Sequence, residues 1–194
     1  LSPQREEEIR KWVQLQKSWR SEVQVRRRDG LPLSIEVHNT PFFDDTGALG
    51  GLIGVSVDIS ERRRVTEALR KSEARFRAIF EYAAVGVAQV RLDGAFEQAN
   101  PYLCTMLGYE AAEMQRFTVQ EVTHPDDRPL QVQNMRRMIE GEMESFTHEK
   151  RYCHKNGSIL WGNLVMSLVR DSVSGQPLYF IKVLENISER KRVE

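Results

Sequence analysis

The side chains best suited to chemistry are few and scattered. Asp126 and Asp127 are adjacent carboxylates that follow His124, the other histidines are His38, His148 and His154, and the two cysteines are Cys104 and Cys153. Paired carboxylates can divide acid and base roles, and clustered His, Cys and Asp can hold a metal. The spacing supports neither use. The sequence has no Cys-x-x-Cys-His, no Gly-x-Ser-x-Gly, no Walker loop and no His-Glu-x-x-His. Asp126 or Asp127 is instead a candidate N-cap, with Pro129 in the first turn of a helix. Leu130, Met135, Met138 and Ile139 would supply that helix's apolar side. No catalytic residue is assigned, and the chain reads as a non-enzyme.

Composition narrows the partners. Lys plus Arg and Asp plus Glu are both 28 in 194 residues, so the net charge is zero and gives no argument for nucleic acid or an anionic membrane. No apolar run approaches the roughly 18 residues of a membrane span. The opening LSPQREEEIRKW lacks the apolar stretch of a signal peptide, and the chain does not begin with Met, as expected of a piece of a longer protein. Two cysteines are too few for a disulfide scaffold and fit a reducing cytoplasm.

The strongest signal is a repeat. VDISERRRV at 57–65 returns as ENISERKRV at 185–193. The match extends upstream: residues 19–65 align with 146–193, Gly30 with Gly157 and Gly47 with Gly175, with one extra residue in the loop DSVSG. Each copy reads as three strands. Asp29-Gly30 and Asn156-Gly157 are hairpin turns. In the first copy Val23 and Val25, then Leu33, Ile35 and Val37, then Ile53, Val55 and Val57 predict a meander with one apolar face. Before it lies a single predicted helix over residues 4–17, with Ile9, Trp12, Val13 and Gln16 along one side. Before the second copy lie a helix, a hairpin turning at Asp93-Gly94, and several short helices. The second unit therefore reads as complete and the first as a C-terminal half, whose marginal core needs a cover.

Ser60 and Ser188 begin charged, helix-favouring segments, where a serine oxygen can accept from a free N–H of the first turn. The last strand of each copy thus passes directly into a helix. In the first connector, Val65, Leu69, Ser72, Phe76 and Ile79 recur at spacings of a short coiled-coil seam. Phe76, Ile79 and Phe80 can equally pack on the next domain's sheet.

In this order, the motifs resemble one known family. Residues 75–193 are similar to a PAS domain of the sensory-box type with its trailing PAC motif. The likeness rests on NPYLCTMLGY, THPDDR, HEKRYCHKNGSILWGN and NISERK. Residues 19–65 resemble the PAC half of a second such domain. The resemblance implies an α+β fold, a five-stranded antiparallel sheet with helices on one face, preceded by a helix plus three-strand half-domain. It gives the organisation 1–59 (PAC half), 60–80 (connector), 75–188 (complete domain) and 189–194 (next connector). It further implies an input or relay module of a bacterial-type signalling protein, with an output domain in cis such as a histidine kinase or cyclic-dinucleotide enzyme, while the connector seam and the cysteine usage lead to the expectation of a homodimer in the cytoplasm. In the family ending an Asp ties the last strand to nearby helices. Asp58 keeps that carboxylate, whereas position 186 is Asn, which loses the charge-assisted bond.

Ligand candidates follow from the same comparison. Strand 158–169 is apolar on both faces and needs two covers, so Trp161, on the outer side, is the favoured contact for a connector helix or a second subunit. Gly162, on the inner face, leaves room for a ligand or fits a bulky neighbour such as Met135 or Met138. Gln98, Asn100 and Met166 complete the candidate pocket, although Asn100 before Pro101 also suits a cap. No cofactor is expected. Cys104 within YLCTM lacks the flanking residues of the flavin-photosensor relatives, and residues 127–141 hold no histidine for haem. The chain is read as a sensory and dimerisation module. A small-molecule receptor and a ligand-free spacer stand as the alternatives.

Overall fold

The structure, a computed structural model, describes residue 11 and residues 17–193. The predicted helix over 4–17, with Ile9, Trp12, Val13 and Gln16, lies outside the described residues save for its residues 11 and 17. The chain divides into two compact units, Leu1–Ala74 and Arg75–Glu194.

In the first unit β1 (Trp19–Arg26), β2 (Pro32–Phe43) and β3 (Leu49–Asp58) form an antiparallel meander in that order. The β1–β2 turn places Gly30 at φ 85°, a conformation open to glycine, and Asp29 accepts from the Leu31 amide. The meander does not have the single apolar face expected. Register pairs Val23 with Ile35 and Ile35 with Asp58, while Val57, Val55 and Ile53 pair with Glu36, His38 and Thr40. Paired residues share a face, so the apolar residues of β3 lie opposite to those of β1 and β2. Strand alternation alone cannot give the phase between neighbours, and a shift of one residue turns a whole strand over. Ile53, Val55 and Val57 are exposed.

From β3 the chain enters α1 (Ser60–Tyr82), one uninterrupted helix with no buried residue. In the second unit follow β4 (Gly86–Val90), β5 (Phe96–Ala99), α2 (Pro101–Leu107) and α3 (Ala111–Met114). A 3-10 turn (Pro125–Asp127) leads into α4 (Arg128–Ile139), then β6 (Ser145–Cys153), β7 (Ile159–Arg170), β8 (Pro177–Asn186) and α5 (Ser188–Val193). The five strands form an antiparallel sheet in the order β5-β4-β8-β7-β6.

The core lies between this sheet and the short helices. Val90, Phe96, Leu164, Phe180 and Leu184 from the strands meet Leu103, Leu107, Met114 and Met138 from the helices, all essentially solvent-free. The apolar stripe of α4 differs from expectation. Leu130 and Ile139 are exposed, and the buried positions are Gln131, Met135 and Met138. These recur at i, i+4 and i+7 and make one helix face, on which a polar residue replaces the expected leucine.

Candidate functional site

Each copy of the repeat ends in the same strand-to-helix junction. In the first, the Asp58 carboxylate accepts from the Ser60 amide at 2.9 Å, and Ser60 Oγ accepts from the Ser34 amide at 3.1 Å. The Ile59 amide donates to the Ser34 carbonyl, and Ile59 itself is buried. In the second, Asn186 Oδ1 accepts from the Ser188 amide at 2.9 Å, and Ser188 Oγ accepts from the Trp161 amide at 2.9 Å. The Ile187 amide donates to the Trp161 carbonyl. The position of the two serines in the sequence predicts that their oxygens cap the helices, and they do not. Instead each grips the neighbouring strand, and Asp58 or Asn186 holds the helix start. Both jobs are needed because a strand that runs straight into a helix leaves free amides on each element.

Charge completes the two junctions. Glu22 meets Arg62 and Arg63, at 3.6 and 2.9 Å, and its equivalent Glu149 meets Arg190 and Lys191. Asp58 also pairs with Arg27 at 3.2 Å, an ion pair that the amide of Asn186 cannot make. Bonds to Ser60, then the nearby Arg27, hold the Asp58 carboxyl below its ordinary range. The half-buried Trp161 faces outward, with Arg151 and Lys191 at 5.9 and 5.7 Å from its ring centre. Beside it on β7, Ile159 and Val165 are exposed.

The residues expected to line a pocket are placed unevenly. Met135, Met138 and Met166 are buried in the core, and Gln98 is exposed. Asn100 is fully buried and occupied by backbone. It accepts from the amides of Val87 and Leu103 and donates to the carbonyls of Phe80 and Val85. Gly162 lies on the inner face, and a Cβ there would meet Leu184 Cδ1 at 2.5 Å and Tyr152 Cε2 at 2.8 Å. The missing side chain therefore makes room for the Tyr152 ring and a Leu184 methyl. Leu69, Phe76 and Ile79 of α1 are all exposed. Asp126 and Asp127 both bind the Arg151 guanidinium, and Asp127 Oδ2 also accepts the Arg151 amide at 2.8 Å. Those bonds hold the Asp127 carboxyl below its ordinary range.

The inner face of the sheet also holds a polar cluster absent from the expected pocket. Lys150 and Tyr152 on β6 and Lys182 on β8 are buried among the core residues. Lys150 Nζ donates to Thr123 Oγ1 at 2.8 Å and to Gln131 Oε1 at 2.5 Å. The Lys182 ammonium and the Tyr152 hydroxyl have no hydrogen-bond partner among the described residues. Both lysine nitrogens lie over the Tyr152 ring, at 4.7 and 4.6 Å from its centre. Burial, then the like charge of Lys182, pushes Lys150 down to about 6, while Asp127 opposes. Burial alone pushes Lys182 to about 7. The alternation of β8 carried a signal for this, since Lys182 shares a face with Phe180 and Leu184.

In the first unit an open groove of about 450 Å³ is lined by Ser34, Ser60, Arg63, Glu67 and Lys71, among others. Among the described residues no group of His, Cys, Asp and Glu could hold a metal ion.

A sheet of five antiparallel strands with short helices on one face, entering and leaving through helices, invites comparison with known proteins. A family model described as PAS fold matches residues 96–184, and another described as PAS domain matches residues 1–61. Together they span more than half of the chain. The chain belongs to the PAS family. Its PAS sequence is 41% identical over 135 residues to the probable diguanylate cyclase DgcE of Escherichia coli (strain K12), covering 70% of this chain and 12% of that protein. It is 27% identical over 139 residues to the sensor histidine kinase TmoS of Ectopseudomonas mendocina, covering 70% of this chain and 14% of that protein. The chain therefore spans a small part of the length of either relative. The fold is shared with the crystal structure of a PAS domain from Colwellia psychrerythraea, with a TM-score of 0.55 and 20% identity over 63% of this chain and 99% of that one. This PAS chain is a sensory module of signal transduction. No helix among the described residues is long and apolar enough to cross a membrane.

Proposed function

We propose that this PAS chain relays a stimulus through its two helical connectors to an output domain of the same polypeptide, and pairs with a second copy along α1. The observation that carries the reading is the duplicated junction: Asp58-Ile59-Ser60 on Ser34 and Asn186-Ile187-Ser188 on Trp161. A strand locked to a helix through such side-chain-to-backbone bonds converts a shift in a sheet into movement of a helix. The pairing surface is the exposed stripe Val65, Leu69, Phe76 and Ile79, whose spacing suits a two-helix seam. The relatives' names supply the two classes of output, a diguanylate cyclase and a histidine kinase. The module itself is a sensor rather than a catalyst, and it works in the cytoplasm, where its unpaired cysteines would stay reduced.

The test replaces Leu69 and Phe76 with glutamate in the chain and in its full-length parent. The expected result is dissociation in sedimentation velocity together with output activity that no longer responds to stimulus. An unchanged oligomeric state with unchanged output would refute the relay through α1.

A further inference from the structure

The buried cluster on the inner face of the sheet is built from donors. Among the described residues Lys182 Nζ and Tyr152 Oη have no hydrogen-bond partner. Among the described residues the Gln131 amide nitrogen donates to the sulfur of Met166, at 3.7 Å, which is a weak acceptor. Gln131 Oε1 and Thr123 Oγ1 both receive Lys150, and Thr123 spends its own proton on the Val119 carbonyl. These groups form one neighbourhood. Lys182 stands opposite Met166 in the register, Met166 meets Gln131, Gln131 meets Lys150, and the Tyr152 ring lies beside both ammonium groups. Buried polar groups in folded proteins are nearly always satisfied, and a buried charge without a counter-charge is among the costliest of exceptions. Two buried lysines in a cluster so short of acceptors keep their protons readily only beside an anion.

We propose that Lys150, Lys182, Tyr152 and Gln131 form an internal binding site for a small organic carboxylate. The carboxylate oxygens would accept from the ammonium groups and the phenol, and the hydrocarbon part would lie against Phe96, Phe180 and Met166, which are buried beside the cluster. Phosphate fits less well, because such apolar walls leave some of its oxygens unpaired. Water would satisfy the donors but not the charge. The site supplies an input to the relay proposed above, yet binding can be measured without any output, so either reading can fail while the other stands.

Protonation gives the site a signature. The titratable groups that bear on it are Lys150, Lys182 and Tyr152, with Asp127 acting on Lys150 from the 3-10 turn. Asp127 is already neutralised by Arg151. Empty, the lysines release protons at about 6 and about 7. A bound carboxylate favours their charged forms, so binding above these values takes up protons and weakens as pH rises.

The experiment is calorimetric titration of the whole chain with sodium butyrate and sodium succinate, with butyramide as the uncharged control. Saturable binding of either carboxylate and not of butyramide is expected, about tenfold tighter near pH 6.5 than near pH 8.5. Proton uptake should appear as a dependence of the heat on buffer ionisation. Lys182→Met should weaken binding at least tenfold, and Tyr152→Phe, which removes one oxygen and keeps the packing, about fivefold. Absence of saturable binding up to about 50 mM, where any useful affinity would register, overturns the proposal. So does equal binding of butyramide, or carboxylate binding untouched by both substitutions.

Discussion

A lysine enclosed by Phe180, Leu184 and Met166 keeps its proton only against the cost of burying charge. Lys150 and Lys182 titrate at about 6 and about 7 in the folded chain, against an ordinary value of 10.5. Between those limits the unfolded chain binds more protons than the folded one. Stability without ligand therefore rises with pH across this window, by up to about 1.4 kcal/mol per pH unit for each lysine. Below about 6 both states are charged, and the dependence disappears. Thermal unfolding followed by near-ultraviolet circular dichroism should show a higher Tm at about pH 9 than at about pH 7. Lys182→Met should raise the Tm at the lower pH and flatten the slope, because an apolar side chain fits the surroundings without a charge to desolvate. Gly162→Ala makes a test of packing at the same site. A Cβ 2.5 Å from Leu184 Cδ1 and 2.8 Å from Tyr152 forces both to move, and overpacking of this kind costs about 1–3 kcal/mol, measurable by urea denaturation.

At the second junction, β7, β8 and α5 meet through a few hydrogen bonds made by Asn186, Ile187 and Ser188. Ser188→Ala removes the acceptor of the Trp161 amide, with an expected loss of about 1 kcal/mol. The effect should be local. Hydrogen exchange at the Trp161 amide and in α5 should quicken, while β4 and β5 stay protected. Equal loosening of every strand would show that the junction supports the whole sheet rather than the exit. The first junction differs by one charge, since Asp58 pairs with Arg27. High salt should therefore loosen the start of α1 more than the start of α5, as exposed ion pairs are screened.

The two units differ in what they bury. The second has a continuous core in which Val90, Leu103, Leu107, Met138, Leu164, Phe180 and Leu184 are closed to solvent. Among the described residues of the first, Trp19 and Ile59 are the buried members of the hydrophobic core, and β3 carries Ile53, Val55 and Val57 exposed. Local stability follows buried apolar contact. Amides of β4, β8 and β7 should exchange orders of magnitude more slowly than those of β1–β3 in native-state hydrogen exchange. Similar protection in both units would mean that the exposed apolar residues of β3 find a cover in solution.

The local signals for the fold were legible in the residues. Asp29-Gly30 and Asn156-Gly157 mark hairpins because their turns need glycine's conformation, and the repeat ending in ISER marks two strand-to-helix exits because capping and turn chemistry act over a few positions. The single extra residue of DSVSG is absorbed in a turn held by Asp171, as DDTG is held by Asp44. Tertiary structure alone decided which face each strand presents. Register turned Ile53, Val55 and Val57 away from Ile35, put Gln131 rather than Leu130 on the inner side of α4, and handed Ser60 and Ser188 to the neighbouring strands. It also gathered Lys150, Tyr152 and Lys182 from two strands separated by the whole of β7. Spacing along the chain fixes what a residue does with its near neighbours. What it meets across a sheet depends on a register set by every strand at once.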